Sequence, residues 1–356
     1  MHFNQRKRQS RSAFGRPAAV ACLAAAWCCA LQGLAKAGEP GEAGGADAPG
    51  KGEGAIVLQL QWYPQAQFAG YMMAQHKGLF RRAGLGEVRL AWGSDEIRPL
   101  QRVIDAEADF CTTWLSTAIV ERAQGRPVVQ ISQVLRRSSM MLVARSDSGI
   151  AAPGDMSGRR VGLWGGEFDV LPNAFFKKHS VGPVVVPQSN SMVPFLRGAV
   201  DVASAMYYNE YHLLFEAGLR ESELRVFALA DYGMDFPEDA LYCTETTRRQ
   251  RPAACAAMVT AVRQGWQAAF ANEQETLEVV MDYCARAHVR TNRAHQRWML
   301  RAMKEAMGDP AAAAWGRLSP EVYAGVAGAL RDQGLIDRVP EFGAFYRPPP
   351  QRRDSP

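Results

Sequence analysis

The alternation of apolar and polar positions divides the chain into short strands and longer helices in regular succession. Ile56, Leu58 and Leu60 alternate along a strand that breaks at Tyr63-Pro64. Phe68, Met72, His76 and Leu79 then recur along one helical stripe, with Gly78 near its end. The same reading places a strand at Val88–Trp92, a helix from about Ile97 to Ala106, a strand at Asp109–Thr113 and a helix running to Gly125. Val128–Val134 and Met140–Ala144 are further strand-length apolar runs. Strands alternating with helices of this size predict a parallel or mixed sheet covered on both faces.

A second unit of the same kind begins after Ser148-Gly149. Asp155–Trp164 feeds a strand, a helix follows to His179, and Val184–Pro187 and Asp201–Ala205 are strands separated by a helix over Ser191–Arg197. Val226–Ala230 precedes Asp239–Thr244, which reads as a return to the first unit. Beyond it the pattern is helical: Met258, Val262, Trp266 and Phe270 form one stripe, Leu277, Met281, Cys284 and His288 a second, and Ser319-Pro320 opens another helix. The expected organisation is an α/β fold of two lobes joined by a hinge, with a ligand cleft between them. Residues 55–146 and 238–345 make the first lobe, and residues 147–237 the second. Residues 346–356, rich in Pro and Arg, are expected to be structureless.

The amino-terminal residues change the charge picture. Arg6, Lys7, Arg8, Arg11 and Arg16 precede an apolar run from Ala18 to Leu34 and the small-x-small pattern Ala35-Lys36-Ala37, as in a signal peptide over residues 1–37. Residues 38–54 are almost all Gly, Ala, Glu, Pro, Asp and Lys, the composition of a flexible linker. The net charge of +5 includes six leader cations and no leader acid, so the mature chain stands at −1 and gives no support to nucleic-acid binding. Trp27 before Cys28 and the short apolar stretch before Cys22 fit lipid attachment poorly. Cys111, Cys243, Cys255 and Cys284 are widely spaced, without a zinc-type Cys/His spacing; a disulfide between Cys255 and Cys284 is one arrangement open to them in an oxidising compartment. There is no G-x-S-x-G or H-E-x-x-H, and His76 and His179 read as surface or structural histidines.

Candidate chemistry collects at strand ends. Trp62, Tyr63, Trp114, Trp164, Tyr207 and Tyr208 offer faces for a flat ring. Glu210 and Asp239 can accept paired hydrogen bonds from an aminopyrimidine edge, and Gln67 and Asn209 can donate or accept. Tyr211 and Trp92 are assigned to the core. An anion would instead call on Arg98, Arg136 or Arg137.

The runs WYPQAQFAGYMMAQHKGLFRRAGL within Leu60 to Leu85, Asp155 to Trp164, and ASAMYYNEYHLLFEAG over Ala203 to Gly218 resemble the periplasmic solute-binding proteins of the thiamine-pyrimidine-precursor type, over roughly Ile56 to Met307. The resemblance implies a type II periplasmic binding protein fold, a small-molecule ligand, and an ABC permease with its ATPase subunit as partners for a periplasmic, monomeric receptor without cofactor. It also leaves open alkanesulfonate, taurine, nitrate or riboflavin binding, a signalling receptor, or the fungal branch that synthesises the thiamine pyrimidine. That branch resembles this chain at Asp109–Ser116, but carries a lysine where Thr112 stands and a histidine where Ser116 stands. A threonine cannot form a Schiff base with pyridoxal phosphate and a serine cannot donate imidazole atoms. Of its cysteine-rich segment, matched by Asp235–Thr244, only Cys243 remains. Its phosphate loop resembles Gly165-Gly166-Glu167-Phe168, followed here by Asp169, whose carboxylate competes with a phosphate for the loop amides.

Overall fold

The computed structural model describes residues 54–350 apart from 95 and 190. The expected signal peptide and nearly all of the expected linker lie outside the described residues. Ten strands follow in chain order: β1 (Ile56–Gln59), β2 (Val88–Ala91), β3 (Phe110–Trp114), β4 (Val128–Gln133), β5 (Met140–Arg145), β6 (Arg160–Leu163), β7 (Val184–Pro187), β8 (Val202–Met206), β9 (Leu224–Ala228) and β10 (Asp239–Thr244). They form two five-stranded mixed sheets, ordered β2-β1-β3-β10-β4 and β7-β6-β8-β5-β9. In each sheet a parallel set is joined by one strand running against it: β10 is antiparallel to β3 and β4, and β5 to β8 and β9.

The chain leaves the first sheet after β4 and comes back through β10. The two crossing segments are tied together, because Val134 and Leu135 N–H both donate to the Asp239 carbonyl at 3.0 and 2.9 Å. Ser138 N–H donates to Asp235 Oδ1 at 2.8 Å, and Ser139 N–H to the buried Glu238 carboxylate. β3 and β4 are buried at every residue, including Thr112, Thr113, Gln130, Ser132 and Gln133.

The helix expected over Phe68–Leu79 divides in two. Ala69–His76 ends where Gly78 takes φ 65°, and Leu79–Arg82 restarts in a new direction. The second expected stripe also stops early, since Glu273–Arg286 ends before His288, which is exposed and has φ 55°. The stretch expected to be structureless is, as far as Pro350, held in place: Arg347 N–H donates to the Gln130 carbonyl, and the Arg248 guanidinium to the carbonyls of Arg347 and Pro348. The four described cysteines are buried thiols outside any disulfide. Cys284 Sγ donates to the Pro64 carbonyl at 3.1 Å, and Cys255 is hydrogen-bonded to Cys243, so Cys255 and Cys284 do not face each other as a disulfide pair. No described helix is long and apolar enough to cross a membrane.

The helix Pro252–Ala271 lies directly against Ala69–His76, and two glycines set the distance. A Cβ on Gly265 would stand 2.0 Å from the Gly70 carbonyl oxygen, and one on Gly70 2.3 Å from the Trp266 ring. Gly265→Ala is therefore expected to destabilise the fold by about 3 kcal/mol or more, since the obstacle is backbone and cannot rotate away. Urea unfolding read by tryptophan fluorescence checks this; an unchanged midpoint would refute the close approach.

Candidate functional site

The cleft between the sheets is built where strands end, as expected for open α/β sheets. The turn after β1 supplies Gln61, Trp62, Gln65 and Gln67; β3 ends in Trp114; the loop after β6 brings Trp164 and Phe168; and the end of β8 brings Met206, Tyr208, Asn209 and Glu210. Thr112, at the position where the pyrimidine-making branch has its lysine, accepts the Gln61 N–H on Oγ1 at 3.1 Å and so fixes this turn. Ser116 is buried in the helix that follows β3.

One wall is aromatic. The Phe168 ring sits among three tryptophans, edge-on to Trp62 at 5.3 Å, Trp114 at 5.1 Å and Trp164 at 6.4 Å. The free volume left in the cleft is about 30 Å³. This holds little more than a water molecule, so the lobes stand closed with Phe168 in the aromatic cage. The opposite wall is polar and acidic. Glu210 is buried; its carboxylate accepts from Met206 N–H and Asn209 Nδ2 at 2.9 and 2.8 Å. Burial pushes its pKa up to about 7 against the pull of those bonds. Behind the cleft, Asp239 accepts from Gln61 Nε2 at 2.6 Å and Gln67 Nε2 at 2.9 Å, and burial pushes it up to about 6. Burial, then the neighbouring Asp239 carboxylate, pushes Glu238 well above the usual carboxylate range.

No residue lining the cleft is Lys or Arg. Arg98 and Arg136 are exposed, and Arg137 pairs with Asp235 at 3.1 Å on the surface. Nor is the Gly165-Gly166 loop open to a phosphate, because Asp169 Oδ1 already takes the Gly165 N–H at 2.8 Å. The buried polar atoms of cleft-lining residues without a protein partner include the Trp164 Nε1–H donor and the Gln61 Oε1 acceptor.

Of the ten residues expected to contact ligand, the cleft is lined by Trp62, Gln67, Trp114, Trp164, Tyr208, Asn209 and Glu210. Asp239 stands one layer behind, holding the glutamines. Tyr63 packs edge-on against Trp62 at 5.4 Å without lining the cleft. Tyr207 turns to the opposite face of its strand end, stacked on Tyr211 at 5.9 Å and beside Trp298. Both tyrosines sit in the turn that follows β8, and it directs Tyr208 into the cleft and Tyr207 away from it. Sequence reasoning missed Phe168, read only as part of a phosphate loop, together with Gln61 and Met206. It also missed His212 and His295, whose Nδ1 atoms meet at 2.9 Å beside Asn209. Burial holds His295 down at about 4. His76 lies 3.5 Å from Glu275 on the surface and His179 packs on Phe175. A larger hollow of about 610 Å³ lies between Arg263 and Pro348–Pro350, away from the strand ends that form the cleft. The Arg263 guanidinium there is already bonded to the carbonyls of Pro310 and Ala311.

Two mixed sheets joined by two crossings, with a cleft at the strand ends, are the periplasmic binding protein fold. The periplasmic aliphatic sulphonate binding protein SsuA from Escherichia coli superposes with a TM-score of 0.65 at 12% identity, over 86% of this chain and 96% of that one. The family model described as NMT1/THI5 like matches residues 65–276, and the chain belongs to that family. In sequence it is 23% identical to a putative thiamine biosynthesis protein of Haemophilus influenzae, over 64% of this chain and 73% of the relative. It is likewise 23% identical to the riboflavin-binding protein RibY of Chloroflexus aurantiacus, over 66% of this chain and 68% of that protein.

The raised pKa of Glu210 makes a stability prediction. An unfolded glutamate ionises near 4.5, the folded one near 7, so between those values the folded chain binds more protons and stability falls as pH rises. Glu210→Gln removes this cost, worth roughly 3 kcal/mol at most. The variant is expected to melt higher than the parent at pH 8, with the gap closing by pH 5; thermal unfolding at the two pH values checks it, and an equal gap at both would refute it.

Proposed function

We propose that this chain is a solute receptor that captures a small, flat heteroaromatic compound bearing hydrogen-bond donors, such as an aminopyrimidine of the thiamine-precursor type, between its lobes. The observation that carries this reading is the pairing of a tryptophan cage with a buried carboxylate in a cleft lined by no Lys or Arg. A ring in the place of Phe168 gains faces on Trp62, Trp114 and Trp164, while its amino edge can donate to Glu210 and its ring nitrogen accept from Trp164. A sulfonate there would meet Glu210 without a cation to offset it. The names of the two sequence relatives, one for thiamine biosynthesis and one for riboflavin binding, both point to nitrogen heterocycles. Thr112 and Ser116, both buried in structural roles, favour binding over synthesis.

Capture requires opening about the two crossings, release of Phe168 from the cage, and closure on the ligand. The closed form then docks on an ABC permease with its ATPase subunit. The cationic leader and the small-x-small pattern at Ala35-Lys36-Ala37 support export to the periplasm by a cleaved signal peptide.

The expected result with purified protein is a thermal upshift and tryptophan quenching by aminopyrimidines or flavins and none by alkanesulfonates. Binding of sulfonates alone would overturn the reading. Glu210→Gln is expected to weaken a donor ligand by roughly 10- to 100-fold, the cost of losing a hydrogen bond to a charged acceptor. For a ligand that does not itself titrate, parent affinity should rise from pH 5 to pH 8 as Glu210 ionises, and titration calorimetry should find that slope absent in the variant.

A further inference from the structure

At the edge of the cleft the helix Glu210–Glu216 of the second lobe meets the first turn of Arg293–Met307. The latter belongs with the first lobe, where Gln296 Oε1 accepts the Ala66 N–H at 2.7 Å. Three side chains converge at this junction. His212 and Glu216 stand one turn apart on their helix, and His295 reaches them from the other. His212 Nδ1 lies 2.9 Å from His295 Nδ1 and 3.7 Å from Glu216 Oε1, and the three ligand atoms all fall within 4.8 Å of one another. Ligand atoms around a tetrahedral zinc ion, with bonds of about 2.0–2.2 Å, are roughly 3.3–3.6 Å apart. The observed triangle straddles that spacing, so modest side-chain rotation suffices to reach it.

The groups behind these side chains are arranged to hold them. His295 Nε2 faces Asn209 Oδ1 at 2.9 Å, and the Asn209 Nδ2 donates to Glu210, which leaves Oδ1 as the acceptor. The proton of neutral His295 is therefore on Nε2, and Nδ1 directs its lone pair toward His212. A ring nitrogen bonded to an outer acceptor while the other is free is the support that metal-binding imidazoles have. Asn292 Nδ2 donates to Glu216 Oε1 at 2.9 Å, and the Trp298 ring stacks on His212 at 4.8 Å and 29°. With His295 Nδ1 unprotonated, His212 must supply the proton between the two rings; a cation would take that proton's place.

We propose that His212, Glu216 and His295 form a site for a divalent cation of the zinc type that bridges the two lobes. Two imidazoles and one carboxylate suit zinc rather than the all-oxygen shells of calcium and magnesium. The Glu216 side chain is 30% exposed, which gives the ion a way in and leaves a fourth position for water. A search for local Cys/His spacing does not find the site, because its third ligand comes from 79 residues beyond Glu216.

The test is equilibrium dialysis of chelator-treated full-length protein against Zn²⁺, with Co²⁺ absorption as a probe of geometry. One equivalent per chain is expected, with the intense visible bands of four-coordinate cobalt, and Zn²⁺ should raise the melting temperature. His212→Gln and Glu216→Gln should each weaken binding at least tenfold, since loss of even an outer-shell partner costs roughly 10- to 100-fold. His288→Gln, at an exposed position on another helix end, should leave binding unchanged. Binding below one equivalent, weak octahedral cobalt bands, or parent-like affinity in both ligand variants would overturn the proposal; Glu216→Gln lies at the surface, so loss of fold does not obscure the answer.

Discussion

The carboxylate of Asp239 is the point on which the two halves of the structure depend. It stands at the first residue of β10, where the chain re-enters the first sheet, and holds Gln61 and Gln67 on its two oxygens. Its own carbonyl takes two amides from the outgoing crossing, Val134 and Leu135. One residue thus fixes both the hinge and the turn that forms a wall of the cleft. The arrangement uses a buried acid without a cation, and two neutral amides only partly offset its desolvation. That is why its pKa stands near 6 rather than in the usual carboxylate range.

Glu210 repeats the pattern across the cleft, and there the cost has a use. A carboxylate kept from water by Met206, Tyr208 and the tryptophans interacts more strongly with a donor than one at the surface. Stability given up at such a position is characteristic of sites selected for something other than folding. Phe168 completes the closed state. Its contacts with Trp62, Trp114 and Trp164 replace, within the protein, the contacts that the proposed ligand would make, so opening exposes apolar surface that binding covers again.

The fold was legible because its determinants are local and repeated. Val128–Val134, Met140–Ala144 and Asp201–Ala205 are apolar runs of strand length bounded by turn residues, and the structure has β4, β5 and β8 there. The Gly78 break was visible as a glycine but not as a change of direction, which depends on how Leu79 and Phe80 pack. The cleft was legible in part, since strand ends mark where ligands sit while the side a residue faces depends on how the turn beyond the strand is wound. Tyr208 points in and Tyr207 out because the turn after β8 separates them. Residues brought together only by tertiary structure were beyond sequence reasoning: nothing near His212 announces His295, and nothing near Cys255 announces Cys243.

A fold shared at low sequence identity follows from the same physics. At 12% identity the Escherichia coli sulphonate binder keeps the architecture over almost its whole length, because many apolar residues can fill a sheet that helices cover on both faces. The residues just past the strand ends carry no such burden, and they can change charge without disturbing the core. In this chain they are glutamines, tryptophans and an acid, and the arginines that an anion would need lie at the surface. Likeness of fold therefore leaves the ligand undetermined, whereas a buried Glu210 with a pKa near 7 and no Lys or Arg lining the cleft disfavours an anionic group wherever that carboxyl is ionised.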